Sequence, residues 1–380
     1  MAAYTNIDRP QDYFVTTTWS GNDVNGRTIS NGEFQPDFLW MFHRNIAGSC
    51  PGVVYNSTIG AGTDSTAYGG NSTGKYNAVY TSLNYELANG DFYRYGYLSG
   101  LTSTGFTCAA GNDPSGYQNY RHNQTGYNYV AWQWKANGGT TSSNTDGTVT
   151  STVQANQDAG FSIITYVGSG TTNDTIGHGL GEEPDIAIFK RLDGYGNWDV
   201  QENSGKSGPL SIAFRHTLNL TEGIATNVLS SFSNTTIGLS TGGDAQKNIS
   251  GSDYVCYAFK GKQGYSKFGT YYGNGSTDGK FVYLGFKPAL IIFKVLSDPN
   301  HGWSMIDNTR SPFNLMDDNL FANASTAETT DQNKVDFLSN GFKLRGSTYP
   351  ANAGGTNTFS YFAWAENPFV TSTGVPTTAR

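Results

Sequence analysis

Three short apolar stretches, each introduced by a proline, recur along the chain. Each holds about five β-forming residues without polar alternation, and proline is tolerated where a strand begins. The pattern therefore predicts three strands buried on both faces: Phe38–Phe42 after Pro36, Ile186–Lys190 after Pro184, and Ala289–Lys294 after Pro288.

The sequence around these prolines repeats in a constant order. An aromatic residue begins a predicted strand 22 residues before Pro36 and 23 residues before Pro184 and Pro288, and two further anchors follow each proline. Four anchors in one order predict three copies of a single β domain. Besides the prolines, the anchors are Phe14, Leu101–Phe106 and Tyr129–Trp132 in copy one, Phe161, Phe232–Ile237 and Tyr254–Tyr257 in copy two, and Tyr265, Phe337–Phe342 and Tyr361–Trp364 in copy three.

Copy one is longer than the others. The distance from the proline to the next anchor is 65 residues in copy one, 48 in copy two and 49 in copy three. We therefore expect copies two and three to fold alike, and copy one to differ mainly between Tyr55 and Gly100.

Composition narrows the fold class. Aromatic residues make up 14% of the 380 residues, 48 residues are glycine, and only 14% are charged. Short strands with glycine-rich turns are typical of sandwiches and barrels, and no long segment shows helical periodicity. Copies of about 105 residues have the usual size of one sandwich, so an all-β protein is predicted.

The repeats also set the expected domain boundaries. Sandwiches are expected at residues 1–138, 158–262 and 263–370, followed by a C-terminal tail at 371–380. Residues 139–157 are mostly Gly, Thr and Ser, which predicts a flexible linker. Only Gly261–Gln263 join copies two and three, which predicts a tight junction.

Cysteine usage and charge exclude several classes of function. Cys50, Cys108 and Cys256 form no CxxC or Cys/His cluster, so we expect buried free thiols rather than disulfides or zinc ligands. No secretory signal is visible at the N-terminus, and no apolar run reaches membrane-spanning length. The net charge of −7 and the scattered Lys and Arg residues argue against nucleic acid as a partner.

Copies two and three contain five motifs within roughly residues 160–370: Gly160–Ile163, Ile176–Asp185, Gly273–Gly279, Asp336–Arg345 and Phe362–Phe369. These motifs resemble those of a domain of unknown function found in virion proteins of tailed phages, especially marine cyanophages and pelagic phages. The resemblance implies concanavalin-A-like jelly-roll sandwiches in a virion structural protein, often a fibre or appendage, and it implies no catalytic site.

Jelly rolls include glycosidases, which use paired carboxylates. The nearest candidates are Glu182, Glu183 and Asp185 at the start of the apolar strand of copy two, with Glu33 and Asp37 as counterparts in copy one. Copy three has no acid at these positions, and we interpret the group as solvated acids where a strand begins.

Two further polar features have structural interpretations. His178 lies between glycines and is expected to be a turn histidine rather than a catalytic group. Asn56, Asn203 and Asn308 recur 19 or 20 residues after the prolines. They could supply oxygens to calcium, but asparagine in a turn that binds its own backbone is the preferred interpretation.

The tyrosines of copy one are the feature with recognition value. Tyr93, Tyr95 and Tyr97 alternate, so they are expected on one face of a strand as candidate ligand-binding residues. Exposed tyrosines bury area against sugar rings or protein surfaces while keeping a polar tip. The alternative is that individual tyrosines only fill the sandwich, where this residue type is common.

These observations predict three tandem jelly-roll-like β-sandwich domains in a non-enzymatic phage virion protein that uses no cofactor and no metal. The preferred role is a tail-fibre or appendage subunit that contacts a host surface glycan. The alternatives are a capsid-surface decoration protein or fibre and, disfavoured, a polysaccharide-degrading jelly-roll enzyme. We expect a homo-oligomer that partners other virion proteins, is assembled in the host bacterial cytoplasm, and binds neither nucleic acid nor membrane.

Overall fold

The chain folds almost entirely into β-strands. The computed structural model describes residues 5–46, 50–59, 61–62, 75–76, 78–85, 94–111, 113–207, 210–226, 230–239, 246–330 and 334–369. The helices of this described part are two short 3-10 turns, Pro10–Asp12 and Ser204–Ser207, and none is long and apolar enough to cross a membrane. The predicted all-β class is confirmed.

The strands follow the three predicted copies. Those of copy one are β1 (Phe14–Ser20), β2 (Arg27–Ser30), β3 (Phe38–His43), β4 (Val53–Asn56), β5 (Ala61–Gly62), β6 (Lys75–Tyr76), β7 (Ala78–Tyr80), β8 (Tyr97–Thr102), β9 (Gly105–Ala109) and β10 (Asn128–Trp134). Two strands follow before copy two, β11 (Ser142–Asn144) and β12 (Ser151–Asn156). Those of copy two are β13 (Phe161–Val167), β14 (Thr175–Gly177), β15 (Ile186–Arg191), β16 (Asp199–Glu202), β17 (Phe214–Thr217), β18 (Thr236–Gly238) and β19 (Asp253–Phe259). Those of copy three are β20 (Ser266–Tyr272), β21 (Phe281–Tyr283), β22 (Phe286–Val295), β23 (Trp303–Asp307), β24 (Leu320–Phe321), β25 (Val335–Leu338), β26 (Gly341–Leu344) and β27 (Thr358–Pro368).

The large sheets of the three copies share one strand order. It is β1-β10-β3-β4-β7 in copy one, β13-β19-β15-β16-β17 in copy two and β20-β27-β22-β23-β24 in copy three. In each sheet the last strand of the copy lies antiparallel between its first strand and its proline-led strand. The expectation that copies two and three share a strand order is confirmed, and copy one shares it too.

A smaller sheet covers one face of each large sheet. It is β2-β9-β8 in copy one, β14-β18 in copy two and β21-β26-β25 in copy three. Apolar residues of the two sheets pack together in each copy, for example Met41 with Phe106 in copy one and Phe293 with Phe342 in copy three. Each copy is therefore a β-sandwich with a private core.

The other face of each large sheet packs against the other two copies in one shared aromatic core. Trp134 shows the arrangement, because its ring centroid lies 4.9 Å from that of Phe14 in its own copy, 6.5 Å from Phe259 in copy two and 5.1 Å from Trp364 in copy three. Alternate residues of the proline-led strands enter the private and the shared core. These strands are therefore buried on both faces, as their sequence pattern predicts.

Buried tryptophan hydrogen bonds join consecutive copies. Trp198 Nε1 of copy two donates to the carbonyl oxygen of Tyr80 in copy one at 2.7 Å. Trp303 Nε1 of copy three donates to the carbonyl oxygen of Thr217 in copy two at 3.0 Å. Trp303 begins β23, and Trp198 directly precedes the equivalent strand β16. Copy three therefore contacts copy two in the same way as copy two contacts copy one.

Charged groups close the remaining interface, between copies three and one. Trp132 Nε1 donates to Asp307 Oδ2 at 3.1 Å, and the buried Arg310 pairs with the same carboxylate at 2.5 Å. Arg310 also pairs with Glu328 at 2.7 Å, and Glu328 pairs with Arg44 of copy one at 2.8 Å. The three copies therefore form a closed arrangement in which each contacts both others.

Residues 139–157 do not form the flexible linker that their composition predicts. They include β11 and β12, and β12 pairs along its whole length with β13 at the edge of the large sheet of copy two. Gln154 of β12 is fully buried, and its amide nitrogen donates to Ser57 and Thr58 of copy one. Thr and Ser are compatible with strands, and an available sheet edge orders the segment.

One anchor of copy three is displaced by one residue. Ser266, rather than Tyr265, pairs with Trp364 in the way that Phe161 pairs with Phe259. A shift of one residue exchanges the faces of a strand. Tyr265 is nevertheless only 1% exposed, because it joins the shared core beside Tyr13 just before the strand begins.

Candidate functional site

The predicted tyrosine stripe does not lie along one strand. Tyr93 falls outside the described residues, Tyr95 lies in a turn, and Tyr97 is the first residue of β8. Both Tyr95 and Tyr97 are half-buried. Tyr95 is held by its carbonyl oxygen, which accepts a hydrogen bond from the backbone amide of Arg121 at 2.9 Å.

Tyr95 instead belongs to a cluster of rings at one end of copy one. The ring of Tyr120 makes edge contacts with Tyr95, Tyr117 and Tyr127, with centroid distances of 6.3, 5.7 and 5.6 Å. Tyr117 is 46% exposed and the other three rings are partly exposed. We call these four tyrosines, together with Arg94, the tyrosine patch. It lies just before the start of β10, where the loop between β9 and β10 meets the loop before β8.

Arg94 and Asp113 fix the loops that form the tyrosine patch. Arg94 Nε lies 2.6 Å from Asp113 Oδ1, and its guanidinium carbon is 5.2 Å from the ring centroid of Tyr95. Asp113 Oδ2 also accepts the backbone amide of Tyr117 at 3.2 Å. Burial acts to raise the pKa of Asp113, but the hydrogen bonds from Arg94 and the Tyr117 amide outweigh it and lower that pKa. The carboxylate is therefore a stable ionic link between the two loops.

Neutral buried groups support the tyrosine patch from below. The ring of His43, 4% exposed, lies 5.2 Å from that of Tyr120 and 4.6 Å from that of Tyr129. Burial lowers the pKa of His43 well below its usual range, and His122 and Arg121 lower it further. His122 bonds to the hydroxyl of Tyr55 at 2.8 Å. The floor of the patch is thus packed rather than hollow, and the rings above it are held in place.

This arrangement suits binding more than catalysis. The phenol rings offer apolar faces and hydroxyl tips, which match the alternating C–H and O–H surfaces of a sugar. Arg94 adds hydrogen-bond donors beside them, and its side chain is 41% exposed. The patch therefore offers stacking and hydrogen bonding on one rigid surface.

Most residues of the tyrosine patch come from a segment that the sequence interpretation passed over. Tyr117, Tyr120 and Tyr127 lie between β9 and β10, in a segment rich in tyrosine and asparagine. The local density of tyrosine was a signal that could have identified this segment from the sequence. The proximity of these three tyrosines to Tyr95 could not be predicted, because it depends on how the loops before β8 and β10 meet.

Two of the acidic residues at the strand starts, Asp37 and Asp185, have structural roles and are not solvated as predicted, whereas Glu182 is exposed as predicted. Asp37 is fully buried, and its carboxylate accepts the backbone amides of Ala136 and Gly138 at 2.7 and 2.8 Å. Asp185 accepts the amide of Gly261 at 2.7 Å and lies 3.4 Å from Lys260. Each acid therefore fixes the chain where it leaves its copy, and burial raises the pKa of both.

His178 occupies a turn in the neutral state. Its Nδ1 accepts the backbone amide of Leu180 at 3.1 Å, so Nε2 carries the hydrogen and donates to the carbonyl oxygen of Ser233 at 3.2 Å. Burial lowers the pKa of His178. Both ring nitrogens therefore make hydrogen bonds that fix the chain next to Gly179. Gly179 has a φ of +71°, which favours glycine.

The recurring asparagines differ in their partners. Asn56 Oδ1 accepts the backbone amide of Ile59 at 2.9 Å, as in the predicted turn, while its Nδ2 donates to Tyr257 of copy two. Asn203 Nδ2 donates to Glu183 at 2.5 Å, and Asn308 Nδ2 donates to Glu366 at 2.8 Å. Within the described residues, no group of three or more His, Cys, Asp or Glu side chains is placed to hold a metal ion.

The three cysteines are free and buried, as predicted. Burial raises the pKa of Cys50 and Cys108 to about 12, and it raises the pKa of Cys256 well above its usual value. A thiol is nucleophilic as the thiolate, so these cysteines are structural at neutral pH.

Residues 9–368 match the profile of one protein family, described as a domain of unknown function (DUF7483). The match runs through all three copies, and the chain therefore belongs to this family. Neither a curated protein nor a solved structure matches the chain.

Proposed function

We propose that this member of the DUF7483 family is a non-enzymatic structural subunit of a tailed-phage virion that contacts a host surface glycan through the tyrosine patch. The contiguous group of four tyrosine rings on a packed floor is the observation that carries the binding role. The phage setting rests on the resemblance of residues 160–370 to virion proteins. The preferred position is a tail fibre or appendage.

Binding at the tyrosine patch would be weak for a single chain. One sugar stacked on exposed rings buries a small area and leaves its polar groups in water. Many copies on one particle convert such a contact into firm attachment, because later contacts are made at a high effective concentration. A homo-oligomer assembled with other virion proteins would supply this multivalency.

The closed arrangement of the copies favours a second candidate, a capsid-surface decoration protein. Each copy contacts both others through the shared core, so the repeats add breadth around one centre rather than length in one direction. A fibre built of tandem repeats would instead gain length with every copy. Antibody labelling of purified particles, followed by electron microscopy, separates tail from capsid.

The roles of the acidic residues support a function without catalysis. A glycosidase needs two carboxyl groups that face one bound sugar. Asp37 and Asp185 instead bind backbone amides at the copy junctions. Release of reducing ends from host polysaccharide by the purified protein, lost on replacing Glu183, would contradict the proposal and favour the polysaccharide-degrading enzyme.

Point variants of the tyrosine patch test the binding role. Deletion of the segment from Tyr55 to Gly100 is unsuitable, because it removes the buried strand β7 and most of β8. The variant Tyr117→Ala with Tyr120→Ala removes two rings and should weaken binding to purified envelope polysaccharide of the host by at least about tenfold.

The matched control is Tyr195→Ala, which removes a ring that is 63% exposed in copy two. It should bind as the wild type does. Equal binding by all three proteins would contradict recognition by the tyrosine patch. Loss of the protein from particles carrying the patch variant would instead identify the patch as its attachment surface.

A further inference from the structure

Copy three carries a second exposed aromatic surface, on the outer face of its small sheet. Phe281 and Tyr283 are 42% and 48% exposed, and they alternate on β21 around Val282, which is 9% exposed and belongs to the private core. Alternate residues of a strand lie on one face, about 7 Å apart along it. Both rings therefore face solvent side by side.

The neighbouring strand keeps this surface flat. In β26, Gly341 lies opposite Tyr283 and Lys343 lies opposite Phe281. A Cβ atom at Gly341 would clash with the carbonyl oxygen of Val282 and would be 3.1 Å from Cε2 of Phe281, so the close approach of the two backbones and that of the ring both require glycine. The glycine therefore leaves room for the phenylalanine ring to lie over the sheet.

Basic side chains surround the two rings. Lys267 Nζ lies 5.4 Å from the ring centroid of Tyr283 and donates to its carbonyl oxygen at 2.7 Å. Lys343 and Arg345 lie on the same face of β26 and its extension. The two rings and the three cations Lys267, Lys343 and Arg345 form what we call the aromatic–basic face.

The acids on this face do not balance its cations. Asp278 pairs with Lys343 at 2.6 Å and lies 4.0 Å from Arg345, and Asp336 pairs with Arg345 at 2.5 Å. Among the described residues, three basic groups thus accompany two carboxylates on this face, on a chain whose net charge is −7. The side chain of Asp278 is 81% exposed, and surface ion pairs of this kind are weak, so an anionic ligand can displace it.

We propose that the aromatic–basic face binds an acidic saccharide chain. Sugar rings would stack on Phe281 and Tyr283, while carboxylates of the saccharide would pair with Lys343 and Arg345. The exposed, hydrated charges around the rings suit a polyhydroxylated ligand better than a protein hot spot, which needs dry surroundings. Three cations that already share two acids are few for tracking a phosphate backbone, which disfavours nucleic acid.

This surface is specific to copy three. The corresponding strand of copy two, β14, presents Thr175 and Gly177 in place of the two aromatic residues. The proposal therefore does not depend on the tyrosine patch of copy one, and either site can fail alone.

The test is binding of the full-length protein to hexagalacturonate, a carboxylate-bearing saccharide, measured by calorimetry. The variant Phe281→Ala with Tyr283→Ala, and separately Lys343→Gln, should each weaken binding by at least about tenfold. Added salt should weaken wild-type binding too. Phe313→Ala is the matched control, because it removes an 81% exposed ring from the same copy outside this face and should change nothing.

Three results would overturn the proposal. The first is no binding of hexagalacturonate at millimolar concentration, and the second is equal affinity for the neutral cellohexaose. The third is tighter binding of an oligothymidylate, which would make the surface a nucleic-acid site. The variant Tyr117→Ala with Tyr120→Ala should bind hexagalacturonate normally, and loss of binding there would place the site in copy one.

Discussion

The shared aromatic core predicts that the three copies unfold as one unit. The perturbation that tests this is Phe342→Ala, which affects only the private core of copy three, where the ring contacts Phe293 at 5.4 Å and Tyr361 at 5.6 Å. Removing a fully buried phenylalanine ring costs about 3–5 kcal/mol of unfolding free energy. How far the melting temperature falls depends on how many residues unfold together.

The expected decrease in Tm differs severalfold between unfolding of the whole chain as one unit and unfolding of copy three alone. At about 2.1 cal/mol/K per residue, cooperative unfolding of the chain has an entropy of about 0.8 kcal/mol/K, and a loss of 3–5 kcal/mol lowers Tm by about 4–6 °C. A copy of about 105 residues that unfolds alone has an entropy of about 0.22 kcal/mol/K, so the same loss lowers the Tm of that copy by about 14–23 °C.

Differential scanning calorimetry distinguishes unfolding of the whole chain as one unit from independent unfolding of copy three. We expect a single transition for the wild type and for Phe342→Ala, displaced by a few degrees. Trp134→Ala, which removes a ring from the shared core, should also leave one transition. A separate early transition in Phe342→Ala that carries about one third of the enthalpy would refute the argument, because copy three would then be an independent domain.

Two further predictions follow from buried ionisable groups. Burial lowers the pKa of Lys294 to about 8, so the cost of its buried charge is fully present below pH 8 and is relieved as pH rises toward 10.5. The unfolding free energy of the wild type, measured with urea, should therefore rise relative to that of Lys294→Met by up to about 3 kcal/mol across this range. A difference that stays constant with pH would contradict this prediction. Burial, together with the charge of Arg121, lowers the pKa of His122 to about 3, so the stability that the neutral ring provides is present above pH 6.5 and lost as pH falls toward 3. The unfolding free energy of the wild type should fall by up to about 5 kcal/mol more than that of His122→Gln over that acid range. Parallel pH profiles of the two proteins would show that His122 is not a buried, neutral histidine.

The strands were predictable where the sequence pattern is local. A proline followed by an uninterrupted apolar run identifies β3, β15 and β22, and the recurrence of these runs reveals the repeat. Burial of Phe189, Ile291, Ile292 and Phe293 follows from the same pattern and is confirmed.

The arrangement of the copies was not predictable in this way. A strand buried on both faces shows that something covers each face, but it does not say whether the cover belongs to its own sandwich or to a neighbour. Trp134 and Trp364 resemble ordinary core residues in the sequence, yet their rings meet across a copy boundary at 5.1 Å. The same limit explains the error over residues 139–157, where pairing of β12 with a distant edge overrides a turn-like composition.

The candidate site was predictable only as a region. Tyr95 lies in the tyrosine patch, but its neighbours Tyr117 and Tyr120 come from another loop, and strand alternation does not describe them. In contrast, the alternation rule does hold for Phe281 and Tyr283 of β21. A short exposed strand of this kind carries little weight in a sequence beside long apolar runs.

The closed arrangement of three linked copies has a consequence for how surface features are counted. A trimer of identical subunits presents every loop three times, and a substitution that improves one loop alters all three. Because the three copies here are encoded in one chain, the surface loops of each copy can acquire substitutions independently. The shared aromatic core still holds the three copies together. The tyrosine patch and the aromatic–basic face each occur once among the described residues, on different copies. Under the two proposals made above, a particle carrying this protein would display two kinds of contact surface in a strict one-to-one ratio, set by covalent linkage rather than by assembly.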